Sequence, residues 1–364
     1  MRDILTDVER WRERGERVAI ATVVTMYGSA PRRPGAKLAV SESGELTGSV
    51  SGGCVEPAVV EAALEVIKDG KPQMLEFGIS EEENFEKIGL SCGGTIHVFV
   101  AIRLVSGMSA IYEELKDLLL HEKGTALATV VRGPEHIGAK MLVHADKSAR
   151  GTLGIDALNV LVVADAERAI WSGDAGTRTY TVESATGALA FDVFIEGFPP
   201  PPTLIIVGAG HIAIPLTTFA KTLNYRVVVV DARSAFATRE RFPHADELII
   251  AWPDEVLEKI GLNPSTSLAV LTHDPKFDEP TLKVALAHRV GYIGAVGSRK
   301  TKEERDERLK RQGITEEQIE RIHGPIGLNI GATSPEEMAL AIMAEIVATR
   351  HGKDRAAVTD WNRK

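Results

Sequence analysis

The sequence predicts an α/β protein in two parts: an N-terminal mixed α+β module with a degenerate internal repeat, then a C-terminal Rossmann-like parallel-sheet domain. Three observations predict it. Two stretches of the proximal half echo each other, four consecutive prolines interrupt the chain, and short β-branched runs alternate with helix-compatible segments beyond them.

The echo pairs Ala21-Thr22-Val23-Val24 and Gly35-Ala36-Lys37-Leu38 with Ala128-Thr129-Val130-Val131 and Gly138-Ala139-Lys140-Met141. Each copy continues into a helix-compatible run (57–67; 164–171) and a further apolar strand (95–102; 189–195). A duplication accounts for this. Both cysteines lie in the first copy, so the first copy is expected to hold chemistry and the second to serve as scaffold.

Pro199, Pro200, Pro201 and Pro202 bar both helix and central strand, which places a boundary between a module over 1–198 (repeats about 1–104 and 105–198) and a domain over 199–364. Beyond them come strand candidates at 203–207, 226–230, 248–251, 268–271 and 292–296, with a helical run at 212–222. Runs of this length at crossover spacing mean a parallel sheet wrapped by helices. Ser334-Pro335-Glu336-Glu337 opens a last helix with an N-cap, a proline at the first position and a glutamate at the third.

Composition excludes several classes. The net charge of -9 is unlike the basic footprint of a nucleic-acid binder. Two cysteines in 364 residues exclude a secreted disulfide scaffold. No apolar stretch reaches the roughly 20 residues that span a bilayer, and the acidic start lacks the pattern of an export signal. A cytoplasmic protein with neither nucleic-acid nor membrane partner is expected.

Gly208-Ala209-Gly210-His211-Ile212-Ala213 places G-x-G-x-x-A between strand and helix. In that context Gly208 makes the turn, Gly210 lets a phosphate reach the backbone, and Ala213 packs helix on strand. Asp231 follows the next strand, where a carboxylate accepts ribose hydroxyls, and Arg233 could hold an extra phosphate. The lesser alternative is that the glycines serve only to turn the chain. His211 reads as an exposed helix-start residue or a proton carrier. His273-Asp274 and Ser298-Arg299 follow strand ends, where open parallel sheets place ligands, though turn chemistry explains the first pair and a solvated loop the second.

Cys54 stands in Ser51-Gly52-Gly53-Cys54-Val55-Glu56 ahead of a helix start, where partial positive charge favours a thiolate and Glu56 opposes it. Cys92 stands in a second Gly-Gly setting. Only Cys92 and His97 lie close enough to share a metal, short of the four ligands zinc wants. Two glycine-flanked thiols suit a soft metal or sulfur chemistry, and Arg32 upstream could clamp an anion.

Together these segments resemble a known family. Gly28-Ser29-Ala30-Pro31-Arg32, Ser51-Gly52-Gly53-Cys54-Val55-Glu56 and Gly89-Leu90-Ser91-Cys92-Gly93-Gly94 resemble the N-terminal module of the xanthine dehydrogenase accessory factor (XdhC/CoxI) family, more the CoxI-type branch. Val207-Gly208-Ala209-Gly210-His211, Asp231-Ala232-Arg233, Thr272-His273-Asp274, Gly294-Ala295-Val296-Gly297-Ser298-Arg299 and Gly324-Pro325-Ile326-Gly327-Leu328-Asn329-Ile330-Gly331 resemble its Rossmann module.

The resemblance implies a chaperone for molybdenum cofactor, as molybdopterin or its cytosine dinucleotide. It would hold the cofactor while sulfur from a cysteine desulfurase replaces an oxo ligand, then hand it to a molybdenum hydroxylase client. It implies an accessory factor without turnover of its own, and a homodimer. On this reading Cys54 and Cys92 approach molybdenum. Gly52, Gly53, Gly208, Gly210, His211, Asp231, Arg233, His273, Asp274, Ser298, Arg299 and Arg32 are the cofactor-binding candidates. Two alternatives stay open: an NAD(P)-dependent oxidoreductase, and a non-catalytic scaffold bridging desulfurase and client.

Overall fold

In the computed structural model, residues 1–78, 94–102, 108–184 and 187–353 are described, and the chain divides into two compact units, Met1–Pro199 and Pro200–Lys364. The first unit runs α1 (Arg2–Glu13), β1 (Val18–Tyr27), β2 (Lys37–Ser41), β3 (Leu46–Gly48), α2 (Glu56–Asp69), β4 (Gln73–Phe77) and β5 (Thr95–Ile102). It repeats this order as α3 (Met108–Leu120), β6 (Thr125–Arg132), β7 (Lys140–His144), β8 (Ala149–Gly151), α4 (Asp156–Ser172), β9 (Ala175–Ser184) and β10 (Gly187–Phe198). Both halves make a five-stranded antiparallel sheet of the same order, β3-β2-β1-β5-β4 and β8-β7-β6-β10-β9.

The duplication extends to the register. Ala21 pairs with Leu38 and Ala128 with Met141, the echoed residues of the two copies. The Gly35 amide donates to Val23 O, and the Gly138 amide to Val130 O, both at 2.8 Å, so each glycine turn closes on the same strand position. α2 and α4 end on left-handed Gly70 and Gly173. α2 buries Val59, Ala62, Ala63, Val66 and Ile67 against its sheet, the spacing of one helix face. α4 begins well before the segment expected from sequence, because Leu158 and Val162 extend its buried stripe by two turns.

The opposite faces of the two sheets meet through Val24, Phe99, Ala101, Val131 and Phe194. Registered pairs show which positions correspond. Ile20 faces Ala101 in the first sheet, and its echo Leu127 faces Glu196 in the second.

The second unit is one six-stranded parallel sheet of β11 (Thr203–Val207), β12 (Arg226–Val230), β13 (Glu247–Ile249), β14 (Thr266–Val270), β15 (Tyr292–Ala295) and β16 (Ile322–His323), in the order β13-β12-β11-β14-β15-β16. Its helices are α5 (Ala213–Thr222), α6 (Pro253–Ile260), α7 (Pro275–Ala287), α8 (Arg299–Arg311), α9 (Glu316–Glu320) and α10 (Pro335–Arg350). β11 is buried on both faces: Leu204 and Ile206 pack with α5 and α10, Ile205 and Val207 with α6, α7 and α8. Ser334 and Glu337 close the capping box that opens α10.

Candidate functional site

The exit of β11 carries the glycine turn. Gly208 has φ +104°, and a Cβ there would lie 2.7 Å from Thr272 Cγ2, so glycine alone turns the chain this close to the end of β14. Gly210 borders open space, with nothing within 4 Å of an added Cβ. Ala213 is fully buried beneath it.

Asp231 is 2% exposed, and it faces this turn. Its Oδ2 accepts the Ala209 amide and Arg233 Nη2, both at 2.8 Å, and its Oδ1 accepts the Arg233 amide and Nε, both at 2.9 Å. Burial would raise the carboxyl, but these hydrogen bonds outweigh it and hold the pKa below the usual carboxylate value. The carboxylate expected to meet a ribose is thus engaged by donors of its own chain. The Arg233 guanidinium lies over the Phe236 ring, 4.4 Å from its centroid.

Among the other distal candidates, Asp274 and Ser298 act as helix caps. Asp274 accepts the Lys276 amide at 3.0 Å at the start of α7, and Ser298 accepts the Thr301 amide at 3.1 Å at the start of α8. His211 and His273 are exposed.

Arg299 lines a cleft of about 820 Å³ with Ile212, Val296, Gly297, the segment 324–330 and three residues of α10. Ile212, two residues beyond Gly210, joins the glycine turn to this cleft. The 324–330 segment is pinned by three amide hydrogen bonds: Ile326 to Ala295 O at 3.1 Å, Leu328 to Ala341 O at 3.1 Å, and Gly327 to Glu345 Oε2 at 2.8 Å. Glu345 is 1% exposed and also accepts from Tyr292 Oη at 2.5 Å and faces His323 Nδ1 at 3.2 Å. A buried carboxylate on α10 therefore shapes the cleft wall. Sequence reasoning passed over it because one glutamate in an apolar helix carries no local signal.

Behind the same wall lies Arg305, 2% exposed. Its Nη1 donates to Val296 O at 3.3 Å, while Nε and Nη2 have no hydrogen-bond partner among the described residues. Nη2 stands 2.6 Å from where a Cβ at Gly324 would be, so the cleft-lining glycine lets the guanidinium approach. Burial lowers the pKa of Arg305. Nearby Asp278, bonded by Thr272 Oγ1, is raised by burial to about 6, with the charge of Arg305 pulling the other way.

In the first unit, the loop before α2 folds around the carboxylate of Glu56. Glu56 Oε1 accepts the amides of Ser51 and Gly52 at 2.9 and 3.1 Å and Ser49 Oγ at 2.6 Å, while Oε2 accepts the Gly53 amide at 2.9 Å and Ser51 Oγ. Burial opposes ionisation, but the Ser49 and Ser51 bonds and the amides prevail, and the pKa falls to about 2. The Gly52 and Gly53 amides thus point inward. Cys54 is exposed at the rim of this loop, its amide donating to Ser51 Oγ at 3.0 Å. Arg32 is exposed, and Cys92 lies outside the described residues. Gly94 packs on the main chain of Ser29 and Tyr27, where any side chain would collide with the Ser29 carbonyl. His97 faces Glu76 at 3.5 Å, and among the described residues no group of three or more His, Cys, Asp or Glu could hold a metal ion.

Two family models match this chain: the XdhC and CoxI family over residues 11–78 and 118–181, and the XdhC Rossmann domain over residues 204–346. The chain belongs to the XdhC/CoxI family. It is 29% identical over 92% of its length to a Bacillus subtilis protein named as a probable subunit of xanthine dehydrogenase, covering 94% of that protein. It is 25% identical to the molybdenum cofactor insertion chaperone PaoD of Escherichia coli, covering 92% of this chain and 84% of that one. A solved structure titled xanthine dehydrogenase, from Bacillus halodurans, shares the fold with a TM-score of 0.59 at 24% identity, over 97% of both chains. Both XdhC/CoxI segments include the echoed repeat, and the Rossmann match spans the whole cleft wall. Among the described residues no helix is long and apolar enough to cross a membrane.

Proposed function

We propose that this XdhC/CoxI protein is a carrier that binds molybdenum cofactor and delivers it to a molybdenum hydroxylase. The observation that carries the proposal is the distal cleft. Its volume of about 820 Å³ falls within the range of small-molecule sites, roughly 300–1,000 Å³. Arg299 at its edge and the unsatisfied N–H groups of Arg305 behind Gly324 suit an anionic guest, a phosphate-bearing pterin. A buried guanidinium with Nε and Nη2 left unpaired among the described residues lowers stability, which fits a ligand-binding role. The relationship to PaoD supports the same guest.

In the finer form of this reading, sulfur from a cysteine desulfurase replaces an oxo ligand while the cargo is held, and exposed Cys54 with Cys92 guards or contacts the metal centre. The chain then acts without turnover, as a homodimer in the cytoplasm. The NAD(P) reading draws no support from Asp231, whose oxygens are engaged by Ala209 and Arg233. The test is expression in a host that makes molybdenum cofactor, followed by metal analysis and pterin fluorescence of the purified protein. Copurifying molybdenum and pterin, reduced several-fold in Arg305→Met, are expected. Protein that leaves such a host free of both would reject the carrier reading.

A further inference from the structure

The facing surfaces of the two sheets of the first unit, together with Ile111, Tyr112 and Leu115 of α3, line a cavity of about 80 Å³. The duplication is visible inside it. Lys37 and Lys140, the lysines of the two Gly-Ala-Lys echoes, both line it, as do Ala101 and Glu196, which hold corresponding registers. Lysines are thus present twice, but the carboxylate only once.

That carboxylate is already committed. Glu196 Oε2 accepts Lys37 Nζ at 2.7 Å, an ion pair buried to within a tenth of full enclosure on both sides. Lys140 Nζ donates to Thr129 Oγ1 at 3.1 Å and to no other described group, and on the first copy's side the matching position is a methyl, Ala101. Lys140 is half-buried, and the desolvation of its ammonium, with the charge of Lys37 adding to it and that of Glu196 opposing it, draws its pKa down to about 8. The other charge near the cavity, the Met1 ammonium, is held by Asp3 at 3.0 Å. A second cation is left with two donor hydrogens and no carboxylate hydrogen-bonded to it among the described residues, between apolar walls that include Phe99 and Phe194.

We infer that this cavity binds a small monocarboxylate, whose anionic end pairs with Lys140 beside Ala101 and takes the place of the carboxylate that the first repeat lacks. A volume of about 80 Å³ admits a guest of a few heavy atoms, such as formate or acetate, and excludes a pterin. The inference is independent of the cofactor carrier reading, since it uses neither the distal cleft nor the cysteine loops.

The test is thermal unfolding of the full chain at pH 7 in sodium acetate against sodium chloride, at equal ionic strength. Acetate at about 100 mM should raise the wild-type Tm by about 3 °C over chloride, the shift expected for a site roughly nine-tenths occupied. Lys140→Met should abolish the difference. Ala101→Glu, which supplies the absent carboxylate within the chain, should raise the Tm in chloride and abolish the acetate response as well. An acetate response that persists in Ala101→Glu places the anion elsewhere, and a wild-type Tm equal in the two salts overturns the inference.

Discussion

The Ala209 amide donates to the Asp231 carboxylate at 2.8 Å, so the residue between the two glycines of the distal turn is tied to the strand beside it. Arg233 closes the other side of the same carboxylate through its amide, Nε and Nη2. A turn whose shape suits dinucleotides is here braced from within. Asp231→Ala would leave that buried amide without an acceptor, while water can take over from the carboxylate at the half-exposed Arg233 guanidinium, and should lower stability by about 1–3 kcal/mol in urea titration. Wild-type protein should show no saturable NAD binding up to about 1 mM by calorimetry.

The Glu56 loop gives a prediction with a defined pH window. A carboxyl held at about 2 against an ordinary 4.5 contributes stability above pH 4.5, and that contribution is lost as pH falls toward 2. Glu56→Gln should therefore be less stable than wild type at pH 7. The expected difference is about 1–2 kcal/mol once solvent screening is allowed for, and it should vanish near pH 2. Proteolysis within the 49–55 loop should accelerate in the variant.

Asp278 has the opposite sign. Raised from 3.8 to about 6, it favours folding fully only below pH 3.8, and that contribution is lost as pH rises through 6. Asp278→Asn should thus be more stable than wild type above pH 6, by up to about 3 kcal/mol, with the gap closing toward pH 4. Equal denaturation midpoints of the two proteins at pH 7.5 would count against a costly buried charge beside Arg305.

For Lys140 the charged form is the costly one. Its pKa, about 8 in the fold against 10.5 when exposed, means that wild-type stability relative to Lys140→Met should rise between pH 8 and pH 10.5. Paired thermal melts across that interval measure the difference directly, without interference from groups common to both proteins.

Much of the architecture was legible because it is periodic. The Ala-Thr-Val-Val and Gly-Ala-Lys echoes became equivalent strands in equivalent registers. The strand at 203–207 and the helix opened by Ser334 were readable from β-branched runs and a capping box. Local patterns carry that information.

The site was less legible, because its polar groups act across long sequence intervals. Glu345 reaches Gly327 from another element, and Arg305 presses on Gly324 from α8. Neither stands in a motif. Asp231, Gly52 and Gly53 were visible as special residues, but whether their polar atoms face a guest or their own loop depends on a side chain turning inward. Asp274 and Ser298 occupy strand ends as expected, and the helices behind them use both as caps.

The most direct measurement of the central claim is titration of isolated molybdenum cofactor into the purified protein, followed by pterin fluorescence, with wild type compared to Arg299→Ala. Saturable binding at one site per chain, weakened at least several-fold in the variant while NAD fails to compete, is the predicted result. Binding that is absent, or identical in the two proteins and displaced by NAD, would contradict it.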